Sequence, residues 1–128
     1  MKNFLDLIGR VFITSVFLLS GYNKIFNYSG TVIWMEEFGI PGFLLGPTII
    51  LEILLSIFII IGYRSQLAAT LLALFCIITA LVFHLDFDSQ IQTVALFKNF
   101  GLAGGFLFIA IHGTKNWAIE RKRKYVRL

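Results

Sequence analysis

Four long apolar runs leave this chain little choice of fold: Phe4–Tyr22, Phe43–Gly62, Gln66–Phe83 and Leu96–Ile111 take up most of its 128 residues. A helix crosses the hydrocarbon core of a bilayer with about 20 residues, within a range of about 17–25. Lipid supplies no hydrogen-bond partner to an open sheet edge, and none of the runs alternates as barrel strands do. The spans are therefore expected to be helices that satisfy their own backbones. Composition agrees, with 58% hydrophobic residues, 14% charged residues and a mean hydropathy of +0.85, more apolar than a soluble domain of this size requires. The expected fold is an all-α integral membrane four-helix bundle, a single domain over residues 1–128.

The first run follows Lys2 as a secretory signal would, but it is longer than a signal core, carries Arg10 and lacks a small-residue cleavage site. It reads as a retained helix. Basic residues then set the orientation. Lys2, Arg10, Arg64, Lys115, Arg121, Lys122, Arg123, Lys124 and Arg127 fall on one side of the spans, whereas Lys24 and Lys98 share the other with Glu36, Glu37, Asp86 and Asp88. The positive-inside rule places both termini in the cytoplasm. Much of the net charge of +4 comes from the tail after the fourth span, which suits anionic lipid headgroups and needs no nucleic-acid partner. The single cysteine, Cys76, excludes an internal disulfide or a paired-thiol redox motif and is expected to pack as a small side chain.

The longest connection, Asn23 to Gly42, contains TVIWMEEF, which mixes Trp34 and Phe38 with Glu36 and Glu37. That pattern predicts a short helix in the outer interface, before Gly39, Pro41 and Gly42 turn the chain into the second span. Pro47 falls early enough to start or kink that span. Ala69, Ala73, Cys76 and Ala80 form a stripe of small residues, and Gly101 and Gly105 are four apart. Both patterns predict close helix contacts.

Ionisable groups inside a membrane are costly unless paired or hydrated, so function is sought among them. Arg10, Thr14, Phe17, Gly21 and Lys24 recur at helical spacing on one face of the first span, with Gly21 opening space on it. Glu52 lies near the middle of the second span, where a bare carboxylate calls for a bridge or a proton. Arg10 is expected to be its partner, with Lys24, Lys98 and Asn99 approaching from the outer side. Such a cluster is either architectural, fixing which helices pair, or the polar lining of a pocket for a small anionic or quinone-like ligand. His84 and His112 sit at opposite ends of their spans and cannot clasp one haem. The sequence HLDFD, with His84, Asp86 and Asp88, is too short a ligand set to predict a metal site.

These pieces together resemble the DoxX family of small four-helix bacterial membrane proteins. The resemblance rests on RVFITSVFLLSGYNKI, the GIPGF turn, LEILLSIFIIIGYRSQLAA, His84 and KNFGLAGG. It implies a four-helix bundle in the bacterial inner membrane and draws attention to Arg10, Gly21, Lys24, Glu52, Arg64, His84, Lys98 and Asn99. It also implies a link to quinone chemistry. The chain has no haem-ligand pair, thiol pair or nucleotide loop of its own, so it would at most contribute a quinone-facing pocket and a proton path. Redox centres would then belong to another membrane or membrane-associated oxidoreductase subunit.

The leading expectation is a quinone-linked membrane subunit in which Glu52 acts on a ligand or its proton, within a cluster of Arg10, Lys24, Lys98, Asn99 and His84. The alternative is a non-catalytic assembly or scaffold subunit, in a homo-oligomer or with a partner. A small-solute carrier ranks third, because no inverted repeat or pair of broken helices is present.

Overall fold

The computed structural model describes residues 1–114 and 117–119. Lys115 and the basic tail from Arg121 to Arg127, on which part of the orientation rests, lie outside the described residues. The chain forms α1 (Lys2–Phe26), α2 (Tyr28–Glu37), a 3-10 turn (Gly42–Leu44), α3 (Leu45–Ile61), α4 (Ser65–Phe83) and α5 (Gln90–His112). There is no strand among the described residues, and four helices are long and apolar enough to cross a membrane. The chain is an all-α, multi-pass membrane protein.

Two helices run further than hydropathy alone marks them. α1 continues past Tyr22 to Phe26, because Asn23 and Lys24 stay helical and Lys24 finds a partner one turn back, donating to Ser20 Oγ at 2.9 Å. α5 starts at Gln90 rather than Leu96, because the Ser89 side chain accepts from the Gln92 N–H at 3.3 Å and caps the first turn. Apolarity marks where a helix enters oil, whereas a cap marks where its hydrogen bonds begin.

The connections follow from local chemistry. Asn27 (φ −125°, ψ 45°) is the one residue that separates α1 from α2. Pro47 sits in the first turn of α3, where its missing N–H would have had no helical partner. At the other end Gly62 takes a left-handed conformation (φ 72°), and the Tyr63 N–H closes on Phe58 O at 2.9 Å. Arg64 is also left-handed (φ 45°), so α4 turns back within a few residues.

α1 packs on α3, α3 on α4 and α4 on α5, while a thinner seam between α5 and α1 closes the ring. α1 and α4 face each other across the diagonal with no close backbone approach among the described residues. Lipid is as apolar as leucine, so such helices associate by fit rather than by hydrophobic drive, and small residues let them approach. The expected stripe does this: Ala69, Ala73, Cys76 and Ala80 are all buried, and α5 meets the core with Ala103, Phe106 and Ala110. Cys76 is a free, buried packing residue. The glycine pair behaves differently from expectation. A Cβ on Gly105 would come within 2.6 Å of Ile13 Cδ1, whereas Gly101 is exposed with nothing within 4 Å. Only Gly105 serves a close approach, because the α1–α5 seam touches α5 along one short stretch.

The bundle is solid in one half and hollow in the other. In the half that holds the chain's N-terminus, Phe17, Leu55, Ile59, Leu72 and Phe106 fill the axis. Phe17 caps this core, with ring centroids 5.5 Å from Phe106 and 6.1 Å from Phe75. Beyond it, toward α2, the axis opens. The outside is apolar all round, with Phe12, Leu19, Ile50, Ile78, Phe97 and Phe108 exposed, the reverse of a soluble bundle and the pattern that lipid requires.

Candidate functional site

The hollow half contains a cavity of about 450 Å³, within the range of about 300–1,000 Å³ usual for small-molecule sites. α1 supplies Phe17, Ser20 and Lys24; α3 supplies Thr48 and Glu52; α4 supplies Phe75, Thr79 and Phe83. α2 lies across the end as a roof, with Thr31, Trp34 and Met35 facing in. Met35 is buried, and with Leu45 and Ile49 it anchors α2 to the start of α3. On its far side α2 is held to α4 by an aromatic clasp: Trp34 stacks on Phe83 at 4.4 Å and 20°, and Phe38 meets the same ring edge-on at 5.0 Å.

Glu52 and Lys24 form the acid–base pair of this cavity. α1 and α3 are antiparallel, so a residue near the end of one faces a residue early in the other. Lys24, two residues before the end of α1, reaches Glu52, seven residues into α3. Its ammonium donates to Glu52 Oε1 at 2.5 Å and to Ser20 Oγ at 2.9 Å. Glu52 is 1% exposed. Its second oxygen, Oε2, is buried and accepts no hydrogen bond among the described residues. Gly21 allows this geometry, since a Cβ there would come within 2.7 Å of Ile53 Cγ1 and 3.7 Å of Glu52 Oε2. One turn along the same face of α3, Ser56 Oγ is also buried without a hydrogen-bond partner among the described residues.

The expected Arg10–Glu52 pairing does not form. Arg10 lies at the opposite end of the bundle, 2% exposed, with Nη2 at 3.0 Å from Asp6 Oδ2. Its guanidinium donates to the carbonyls of Ile60 at 2.6 Å, Ile59 at 3.3 Å and Trp117 at 3.3 Å. A planar cation at the carbonyl end of α3 is favoured by the helix dipole and by its fork of donors. Spacing places Arg10 and Lys24 on the same face and is silent on backbone acceptors, so it could not separate the two.

The other expected members of the cluster divide. Asn99 lies on the cavity wall, as does His84, whose Nδ1 is 2.6 Å from Gln92 Oε1 rather than beside Glu52. Lys98 is exposed and does not line the cavity, because its place on α5 turns it away from the axis. Asp86 accepts from the Asp88 N–H at 3.1 Å and closes its own turn. Among the described residues no three potential metal ligands gather.

Sequence reasoning missed Trp34, Phe83 and Thr79 as wall residues. A single aromatic is indistinguishable from lipid-facing bulk until the helices are placed. The one signal was TVIWMEEF, an aromatic helix immediately preceding the span that bears the carboxylate.

Comparison with known proteins gives a consistent result. The DoxX family profile matches residues 5–85, which takes in most of α1, all of α2, α3 and α4, and both members of the Glu52–Lys24 pair. The inner membrane protein YqjF of Escherichia coli is 35% identical, over 90% of this chain and 88% of that protein. The inner membrane protein YphA of the same organism is 28% identical, over 91% of this chain and 88% of that one. No solved structure matches.

Proposed function

This chain belongs to the DoxX family, and from that premise we propose that it is a membrane subunit linked to quinone-dependent redox chemistry, whose cavity receives the ring of an amphipathic ligand such as a quinone. The supporting observation is Glu52, a buried carboxylate that lines a largely apolar cavity beside Lys24 and whose Oε2 accepts no hydrogen bond among the described residues. A buried acceptor left open costs on the order of 1–3 kcal/mol, and more when charged. A residue that served only to join α1 to α3 would be expected to close both oxygens. Aromatic walls at Phe17, Trp34, Phe75 and Phe83 suit a flat ring, while Lys24 and Glu52 are placed to handle its polar edge and its proton. In this reading the redox centre belongs to a partner subunit, and the protein lies in the bacterial inner membrane with both termini cytoplasmic.

The test is direct. Protein purified with native lipids is extracted and assayed for bound quinone, wild type against Glu52→Gln and Phe83→Ala. The expected result is quinone in the wild type and its depletion in both variants. Equal retention in all three would remove the cavity from the account.

The second reading, an assembly or scaffold subunit, draws on the fact that Lys24–Glu52 bridges α1 and α3. There, Glu52→Gln lowers partner recovery in mild-detergent pull-downs while no ligand is lost.

A further inference from the structure

The seam between α3 and α4 is closed at one end and open at the other. Residues three and four apart share a helix face, so Leu44, Thr48, Leu51 and Leu55 run along one side of α3 and the 3-10 turn before it. On α4 the same spacing puts Ala68, Phe75, Ile78 and Val82 on one face. Next to the Gly62 turn that joins the two helices, Leu55 and Ala68 are buried in one core, and Leu51 and Phe75 pack against it. Toward α2 the two stripes change character. Leu44 is 38% exposed and Ile78 59% exposed, yet both also line the cavity, as do Thr48 and Val82. Thr48 and Ile78 lie equally far from the turn, and so do Leu44 and Val82, so at about 1.5 Å per residue each pair stands at one height. Trp34, exposed and stacked on Phe83, forms the edge nearest α2.

Trp34, Leu44 and Ile78 are the cavity-lining residues that are also exposed; the others are buried or half-buried. Leu74 and Leu81, beside Ile78 on α4, are exposed too, so this edge meets acyl chains. The other loosely packed pair, α1 and α5, is a poorer exit for a hydrocarbon. There the lining is Val16, Ser20, Lys24 and Asn99, all half-buried and mostly polar. We infer that the gap edged by Trp34, Leu44 and Ile78 is a lateral portal into the bilayer, and that the ligand is a ring with one long hydrocarbon tail, an inference that rests on the ligand-binding reading above. Its head sits beside Glu52 and Lys24, and its tail passes between α3 and α4 into the lipid. A cavity of about 450 Å³ holds a ring and a short stem but not a long chain as well. The tail beyond the portal lies in lipid whether the ligand is free or bound, so its length contributes little to affinity.

The full chain in lipid nanodiscs is photolabelled with a fully substituted 1,4-benzoquinone whose decyl tail carries a diazirine a few carbons from the ring, with and without an excess of the same quinone lacking the diazirine. Labelled peptides are mapped by mass spectrometry. Competable label is expected on residues 42–48 and 75–82. Competable label on α1 and α5 instead overturns the portal and leaves the cavity reading intact. No competable label anywhere on the protein removes both. A second arm compares Ile78→Trp, which narrows the gap, with Leu74→Trp, which adds the same bulk on α4 outside the cavity lining. Equilibrium retention of the decylquinone is expected to fall by about tenfold or more in Ile78→Trp relative to Leu74→Trp, the size of an overpacked contact, while the same ring with a methyl in place of the tail is retained equally by both. Equal retention of the decylquinone by the two variants also overturns the portal. The wild-type labelling decides the matter even where a variant fails to fold.

Discussion

Two cations of α1, Arg10 and Lys24, meet different surroundings. Arg10 has a carboxylate beside it and three backbone carbonyls accepting from it, at the seam where α3 ends and residues 117–119 dock. Ile119 N–H donates to Ile61 O at 2.9 Å, and a Cβ on Gly62 would collide with Ala118, so that end is closed by backbone. Lys24 is held by a carboxylate and a hydroxyl, and it lines a cavity. The contrast shows that a buried charge in a membrane helix does not by itself mark function. What distinguishes the two sites is what surrounds the charge, backbone carbonyls at Arg10 and a cavity at Lys24.

The sharpest way to break the contrast is at the Arg10 end. Arg10→Met removes the donors of several carbonyls and leaves Asp6 unpaired; unfolding in detergent should show a loss of about 3–5 kcal/mol, the usual cost of stripping one partner from a buried pair. A loss under about 1 kcal/mol would mean that Arg10 is not a lock. The next largest effect belongs to the glycine between the two cations. Gly21→Ala forces Ile53 away and should destabilise by about 1–3 kcal/mol as an overpacked contact. Gly101→Ala, with open space around it, should instead be neutral or stabilise by up to about 1 kcal/mol through helix propensity.

At the open end the expected changes are smaller. Glu52→Gln keeps an oxygen for Lys24 and should alter thermal stability by no more than about 1 kcal/mol, while ligand retention changes sharply. A large stability loss without any change in retention would make Glu52 a second lock and erase the distinction. The smallest effect is expected between the ends: Ser56→Ala deletes a buried hydroxyl that has no hydrogen-bond partner among the described residues, and thermal melts should show it neutral or stabilising by up to about 1 kcal/mol. Clear destabilisation would show that this hydroxyl has a bond of its own.

Much of the architecture was legible in the residues. Apolar run length gives the four spans, the 3.6-residue period gives the buried face Arg10, Thr14, Phe17 and Gly21, and the small-residue stripe on α4 packs where its spacing says. The identity of Glu52's partner was not legible. Periodicity fixes the angle of a residue around its helix but not the axial offset between two helices, and that offset decides whether Arg10 or Lys24 meets the carboxylate. The cavity was hidden for a related reason. A void is a property of how side chains from five helices fail to meet, and no single stretch encodes it. Lys98 was misplaced because a charge near the start of an apolar run is compatible with either face.

The single-residue break at Asn27 leaves the roof to be held by its side chains. On the α4 side three rings, Trp34, Phe38 and Phe83, do this. Removing the Phe83 ring would therefore loosen the roof on that side only, while Met35, packed with Leu45 and Ile49, keeps it seated on α3.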